Sequence, residues 1–195
     1  MNLSKKAGNI SPSITLSITA KANELKAQGV DVVSFGAGEP DFNTPQNIIN
    51  AAIKAMQDGK TKYTPAGGIL ELKKTICKKF KEDNGLDYTT DQITISTGAK
   101  QCLANVFMAI LNPGDEILIP IPYWVSYPEL VKLADGVPVF VETLKENNYK
   151  YTIEDLEKAV SDKTKAILIN SPNNPTGTIY NREELIEIAE FAKKH

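Results

Sequence analysis

Three short runs in this sequence combine small, aromatic and amide residues in ways that could hold an anion and a flat ring. In Thr97-Gly98-Ala99-Lys100-Gln101, small residues open directly into a helical pattern. The first N–H groups of a helix lack intrahelical acceptors and sit at the positive end of its dipole, so this turn could cradle a phosphate. A tight packing turn would read the same way, and Lys100 could either neutralise an anion or stand in solvent. The sole tryptophan, Trp124, lies in Pro122-Tyr123-Trp124-Val125-Ser126-Tyr127. Its indole could stack on a heteroaromatic ring or serve as a half-buried packing residue. The third run, Ser171-Pro172-Asn173-Asn174-Pro175-Thr176-Gly177, is dense in turn formers. Proline at 175 keeps Asn174 out of the helical region, which would aim its amide from a fixed backbone, and a cis bond there is open to it. A phosphate seat, an aromatic platform and an amide donor on one sheet edge suit a phosphorylated aromatic cofactor.

Other chemistries lack their parts. The only histidine is His195, so His-based catalytic triads and His-rich zinc sites have nothing to be built from. Cys77 and Cys102 are the only cysteines, each on the apolar side of a predicted helix, where buried, inert thiols in a reducing compartment are expected. Gly59-Lys60-Thr61 has the ending of a nucleotide-binding phosphate loop, but Lys54 stands where its first glycine belongs and a helical pattern precedes it. With 22 Lys and Arg against 24 Asp and Glu, the net charge is −2, which offers no basic field to a nucleic acid. No run approaches the roughly 20 apolar residues of a membrane span. Ser11, Pro12, Ser13, Thr15, Ser17 and Thr19 break up any apolar signal region after Lys5 and Lys6, so a cytoplasmic location is expected.

The elements that must position these runs follow from hydrophobic period and punctuation. Ile14, Ile18, Ala22 and Leu25 recur at helical spacing before Gly29, and a short apolar run over residues 30–35 enters the loop at 36–41. Thr44 and Pro45 are expected as N-cap and first helical residue of a helix whose Ile48, Ile49, Ala52, Ile53 and Met56 form a buried stripe. A further helix starts near Gly68 and stops at Asn84-Gly85. From residue 91 strands and helices alternate: strands at 92–96, 116–121, 137–141 and 165–170, helices at 99–111, before 134, after Thr152 and after Asn181. Thr152 with Asp155, and Asn181 with Glu184, have capping-box spacing. Continuously apolar strands separated by helices predict an α/β fold, a mostly parallel sheet covered on both faces. The final helix reaches His195 without a glycine stop, so the pattern is expected to be incomplete at the C-terminus.

Gly36-Ala37-Gly38-Glu39-Pro40-Asp41-Phe42, Lys62-Tyr63-Thr64-Pro65-Ala66-Gly67-Gly68, Tyr123-Trp124-Val125-Ser126-Tyr127-Pro128, and the runs at 97–101 and 173–177, occur in one order along the chain. In this the sequence resembles the class I aminotransferases among the fold-type I pyridoxal-phosphate (PLP) enzymes, and the run at 123–128 looks most like the bacterial aspartate aminotransferase branch. The resemblance implies that residues 1–43 form an N-terminal arm and small-domain segment and 44–195 part of the PLP-binding large domain. It implies that backbone at Gly98, Ala99 and Lys100 holds the PLP phosphate, Trp124 stacks on the pyridine ring, and Asn174 meets its phenolic oxygen. Gly38 would lie against the substrate carboxylate, and Tyr63 would reach the phosphate in a neighbouring subunit, making a homodimer.

The same resemblance places the Schiff-base lysine, the aspartate facing the pyridine nitrogen and the arginine gripping the substrate beyond His195. No catalytic residue is therefore assigned within the chain, which alone is expected to be inactive. The complete enzyme would exchange an amino group between an aspartate-like amino acid and a 2-oxo acid. Two alternatives stay open: a lyase-type PLP enzyme on the same fold, and a non-catalytic truncated or partner-binding module.

Overall fold

The computed structural model describes residues 2–36, 38 and 40–195. The expectations that touch Ala37 and Glu39 in the 36–42 run lie outside the described residues. In chain order the helices are α1 (Lys5–Gly8), α2 (Ile14–Ala27), α3 (Gln46–Gln57), α4 (Leu70–Asn84), α5 (Gly98–Ile110), α6 (Ser126–Leu133), α7 (Ile153–Ala159) and α8 (Arg182–Lys194). The strands are β1 (Glu116–Ile121), β2 (Val137–Glu142) and β3 (Thr164–Ile167). The chain divides into two compact units, one of Thr15–Ala99, the other of Lys100–His195 with the segment up to Ile14.

The unit of Lys100–His195 is built on a parallel sheet in the order β2-β1-β3. Successive residues of a strand face opposite sides, so a central strand with apolar residues throughout must be covered twice. On one side Ile117 and Ile119 pack with Phe107 of α5, Tyr127, Val131 and Ala134 around α6, and Leu168. On the other, Leu118 packs with Val141, Tyr151, Leu156 of α7, Tyr180, and Ile188 and Phe191 of α8. Ile117, Leu118 and Ile119 are completely buried. At about 1.5–3 kcal/mol for each such side chain, this tripeptide contributes a large share of the drive to form the sheet.

Polar contacts pin the second core. The Tyr151 hydroxyl lies 3.3 Å from the Leu118 carbonyl and 3.1 Å from that of Leu168, and the Tyr151 N–H donates to the Tyr180 hydroxyl at 2.9 Å. Burial, with Tyr180 nearby, pushes the Tyr151 phenol far up, so it stays protonated and remains a donor. Both expected capping boxes form: the Asp155 N–H donates to Thr152 Oγ1 at 3.1 Å and the Glu184 N–H to Asn181 Oδ1 at 2.8 Å.

The unit of Thr15–Ala99 carries α3, α4 and most of α2, with an extended segment after the 3-10 turn Thr90–Gln92. Residues 92–96 were expected as a strand, but Gln92 closes the turn and residues 93–96 join no ladder among the described residues. The Ile95 N–H donates instead to the Gly67 carbonyl at 3.1 Å. Gly68, at φ +100°, lies so close to Ile95 that a Cβ there would come within 2.7 Å of its side chain, so only glycine fits. The run at 30–35 likewise forms no strand.

Three further expectations need correction. Pro45 itself occupies the N-cap of α3, one residue later than the Thr44 cap the sequence suggests, and no side-chain cap bond forms. The α3 stripe is not buried among the described residues: Ile48, Ile53 and Met56 are all exposed. Helical spacing determines which residues share a face, and a second element must still cover it. Cys77 of α4 is only half-buried, and Cys102 is exposed because the sheet-facing side of α5 is set by Leu103 and Phe107.

The double-sided core makes a quantitative demand. Leu156→Ala should lower the urea-unfolding free energy by about 2–5 kcal/mol, whereas Ile179→Ala, at an exposed position, should stay within roughly 0.5 kcal/mol. Equal losses from both would contradict the packing described.

Candidate functional site

Ligands of open α/β sheets bind beyond the carboxyl ends of the strands, where neighbouring strands send their connections to opposite faces. The central and outer strands β1 and β3 meet that condition. The chain leaving β1 turns into α6, which packs on the Ile117 side, and the chain leaving β3 leads to α8, which packs on the Leu118 side. Because the two strands are adjacent and parallel, the loops after them emerge at the same rim. One carries Trp124 and the other Asn174.

The Trp124 loop is held from several directions. The Ile121–Pro122 peptide is cis, and the Ile121 carbonyl accepts from the Thr143 hydroxyl and, at 3.3 Å, from the Thr143 N–H. Tyr123 turns toward β2, its ring stacked on Phe140 at 5.1 Å. Trp124 is half-buried against the Ile117 core and meets Tyr127 edge-on at 5.4 Å. The packing reading of the indole therefore holds, and being half-buried it also keeps accessible surface.

Asn174 and Asn173 have opposite environments. Asn174 is exposed, its bond to Pro175 is cis, and its amide makes no hydrogen bond among the described residues. Asn173 is buried, and its Nδ2 donates to the Pro122 carbonyl at 3.3 Å and to Thr176 Oγ1 at 2.9 Å. Sequence reasoning gave Asn173 no role. The only available signal was an amide beside two turn prolines, which does not say which of two consecutive asparagines turns inward.

Helix α5 begins at Gly98, whose φ of +79° lies in the left-handed region that glycine adopts without strain. Its N–H donates to the Ser96 carbonyl at 2.9 Å. The division between the compact units falls inside the first turn of α5, after Ala99. Lys100, on the sheet-containing side of that division, is exposed and extends its ammonium over the Trp124 indole, 4.9 Å from the ring centroid. This cation–π contact brings Lys100 and Trp124 together, worth about 0.5–1 kcal/mol at an accessible site.

Gly38 and Tyr63 belong to the other unit and are described within it. A Cβ on Gly38 would meet nothing within 4 Å. Tyr63 is wholly exposed and makes no described contact through its ring. Among the described residues no cluster of His, Cys, Asp or Glu is arranged to hold a metal ion, and no helix is long and apolar enough to cross a membrane.

Within the sheet-containing unit the donor set fits a flat aromatic ring: a half-buried indole with accessible surface and an unengaged amide at the adjoining strand end. Comparison with known proteins points the same way. The family model for aminotransferase class I and II matches residues 30–195. An aspartate aminotransferase of Bacillus sp. (strain YM-2) is 60% identical over 190 residues, covering 97% of this chain and 48% of its relative. A probable aspartate/prephenate aminotransferase of Aquifex aeolicus is 52% identical over 189 residues, covering 97% of this chain and 48% of the relative. The structure of Thermus thermophilus aspartate aminotransferase with maleate superposes with a TM-score of 0.96 at 47% identity, over 100% of this chain and 51% of that one. The chain thus spans about half the length of the curated relatives it matches.

The Lys100 contact is open to a direct check. Lys100→Met should alter the Trp124 emission spectrum while changing the unfolding free energy by no more than roughly 1 kcal/mol. An unchanged spectrum would mean that the ammonium does not rest on the indole.

Proposed function

This chain belongs to the aminotransferase class I and II family, a family of PLP enzymes, and on that premise we propose that it forms the cofactor seat of an aminotransferase acting on an aspartate-like amino acid and a 2-oxo acid. Its α/β fold with a parallel sheet is the fold of the aspartate aminotransferases it matches. The observation that carries the proposal is the meeting of the β1 and β3 loops at one rim, which sets an accessible indole beside an unengaged amide.

In this reading each residue has a defined task. The backbone around Gly98, Ala99 and Lys100 receives the phosphate, with the helix dipole of α5 favouring its negative charge. Lys100 takes part through its backbone, and the ring would stack on Trp124. Asn174 donates its amide to the phenolic oxygen and fixes the ring's rotation in its own plane. Gly38 leaves its backbone free to approach the substrate carboxylate. Tyr63, exposed on its own unit, reaches the phosphate seat of a second subunit in a homodimer. When bound, PLP supplies an electron sink for the charge left on the substrate carbon as its proton departs. The indole would cover one face of the ring and shield it from water.

Residues 1–43 serve in this proposal as the arm and small-domain segment, and 44–195 as part of the cofactor-binding domain. The lysine that binds PLP covalently and the arginine that grips the substrate lie outside residues 1–195. The names of the matched relatives support aspartate, with prephenate as a partner for some of them. A cytoplasmic location accords with an enzyme of amino-acid metabolism.

Borohydride reduction and peptide mapping test the assignment. A protein containing this chain together with the rest of the enzyme should show a PLP absorbance band that reduction fixes to a single lysine outside residues 1–195. The 195-residue chain should give no stoichiometric adduct. Reduced PLP on Lys100, or failure of the longer protein to bind PLP, would overturn the proposal.

A further inference from the structure

Asn173 is the one amide in the two rim loops that is buried, at 8% exposure, and both of its side-chain N–H bonds are used. One goes to the Pro122 carbonyl, two residues before Trp124, at 3.3 Å. The other goes to Thr176 Oγ1, two residues after Asn174, at 2.9 Å. Backbone contacts close the same loop on itself: the Asn173 N–H donates to the Thr178 carbonyl at 2.9 Å, and the Gly177 N–H to the Asn173 carbonyl at 2.7 Å. The Thr176 and Thr178 hydroxyls lie 2.8 Å apart, so the acceptor Asn173 uses is itself held. On its other flank the Trp124 loop is fixed by Thr143 through the Ile121 carbonyl.

We propose that Asn173 is a positioning residue: its buried amide ties the loop carrying Trp124 to the loop carrying Asn174, so that the ring-stacking and amide-donating groups keep a set separation before any ligand arrives. The proposal rests on the cofactor-seat reading for its purpose, though its geometry is independent of it. An amide suits the task because it offers two N–H bonds in one plane, one for each loop. A carboxylate of the same shape offers none, so Asn173→Asp leaves the Pro122 carbonyl without its donor while conserving volume. A group placed to hold others in geometry acts through preorganisation, and its loss should loosen the site more than the fold.

Trp124 is the only tryptophan in the chain, so its emission reports on this loop alone. Acrylamide quenching and anisotropy decay of the ligand-free 195-residue chain should show Trp124 more accessible in Asn173→Asp, by roughly twofold, as for a local opening. Thr176→Val, which removes one acceptor and leaves the amide in place, should move it in the same direction by less. Tyr151→Phe deletes buried hydrogen bonds to the strand carbonyls of Leu118 and Leu168, in the core on the sheet face opposite Trp124, and serves as the control; it should lower stability without changing Trp124 quenching. Titration with PLP, read as quenching of Trp124, should then show weaker binding to Asn173→Asp by about tenfold.

Unchanged Trp124 mobility in Asn173→Asp would overturn the proposal, as would an equal rise in Tyr151→Phe, and so would greater mobility with PLP affinity intact. If the unsubstituted chain binds no PLP, the cofactor-seat reading loses its support. The comparison of Trp124 mobility among the variants then still decides whether Asn173 links the loops.

Discussion

A central parallel strand has no solvent face, and that constraint organises everything around β1. Ile117 and Ile119 demand cover on one side and Leu118 on the other, so helices must come to both faces and the chain must cross the sheet to supply them. The crossing puts β2 and β3 on opposite sides of β1. Once the strand order is fixed, so is the rim at which the connections diverge. The chemistry-bearing loops share that rim because of how apolar side chains are buried three to five residues earlier.

The rim itself is then stiffened by polar groups that have little to do with the core. Thr143 holds the Ile121 carbonyl and Asn173 holds that of Pro122, while Tyr151 joins the carbonyls of Leu118 and Leu168 within the strands, outside the rim loops. The half-buried Trp124 and the exposed Asn174 stand on this support, the indole engaged by Lys100 and Tyr127 and the amide uncommitted among the described residues. A ring arriving there would meet groups whose conformational freedom is already restricted, which lowers the entropic cost of binding.

Much of this could be read from the residues in order. Glu116–Ile121 is apolar and bounded by Asp115 and Pro122, and it forms a strand with those limits. The boxes at Thr152 and Asn181 start helices because the side chain at N3 and the cap are local to each other, needing no tertiary partner. Gly85 ends α4 in the left-handed conformation for the same local reason. What needed the structure was non-local. Residues 93–96 have strand character but find no ladder, and the apolar side of α3 finds no cover among the described residues. Asn173 and Asn174 are identical in type, and it is Asn173 that meets the Pro122 carbonyl across the rim and Thr176 within its own loop. The α/β class and the family were legible because they depend on pattern and order; the support for the site was hidden because it depends on contacts across 51 residues of chain.

Nuclear Overhauser contacts between PLP and the isotope-labelled 195-residue chain would test most directly whether the two strand ends form one seat. The account predicts transfer from the ring protons of PLP to the Trp124 indole, together with a shifted side-chain amide signal for Asn174. Saturable PLP binding with neither signal affected would contradict it, by placing the ring away from the rim that β1 and β3 create.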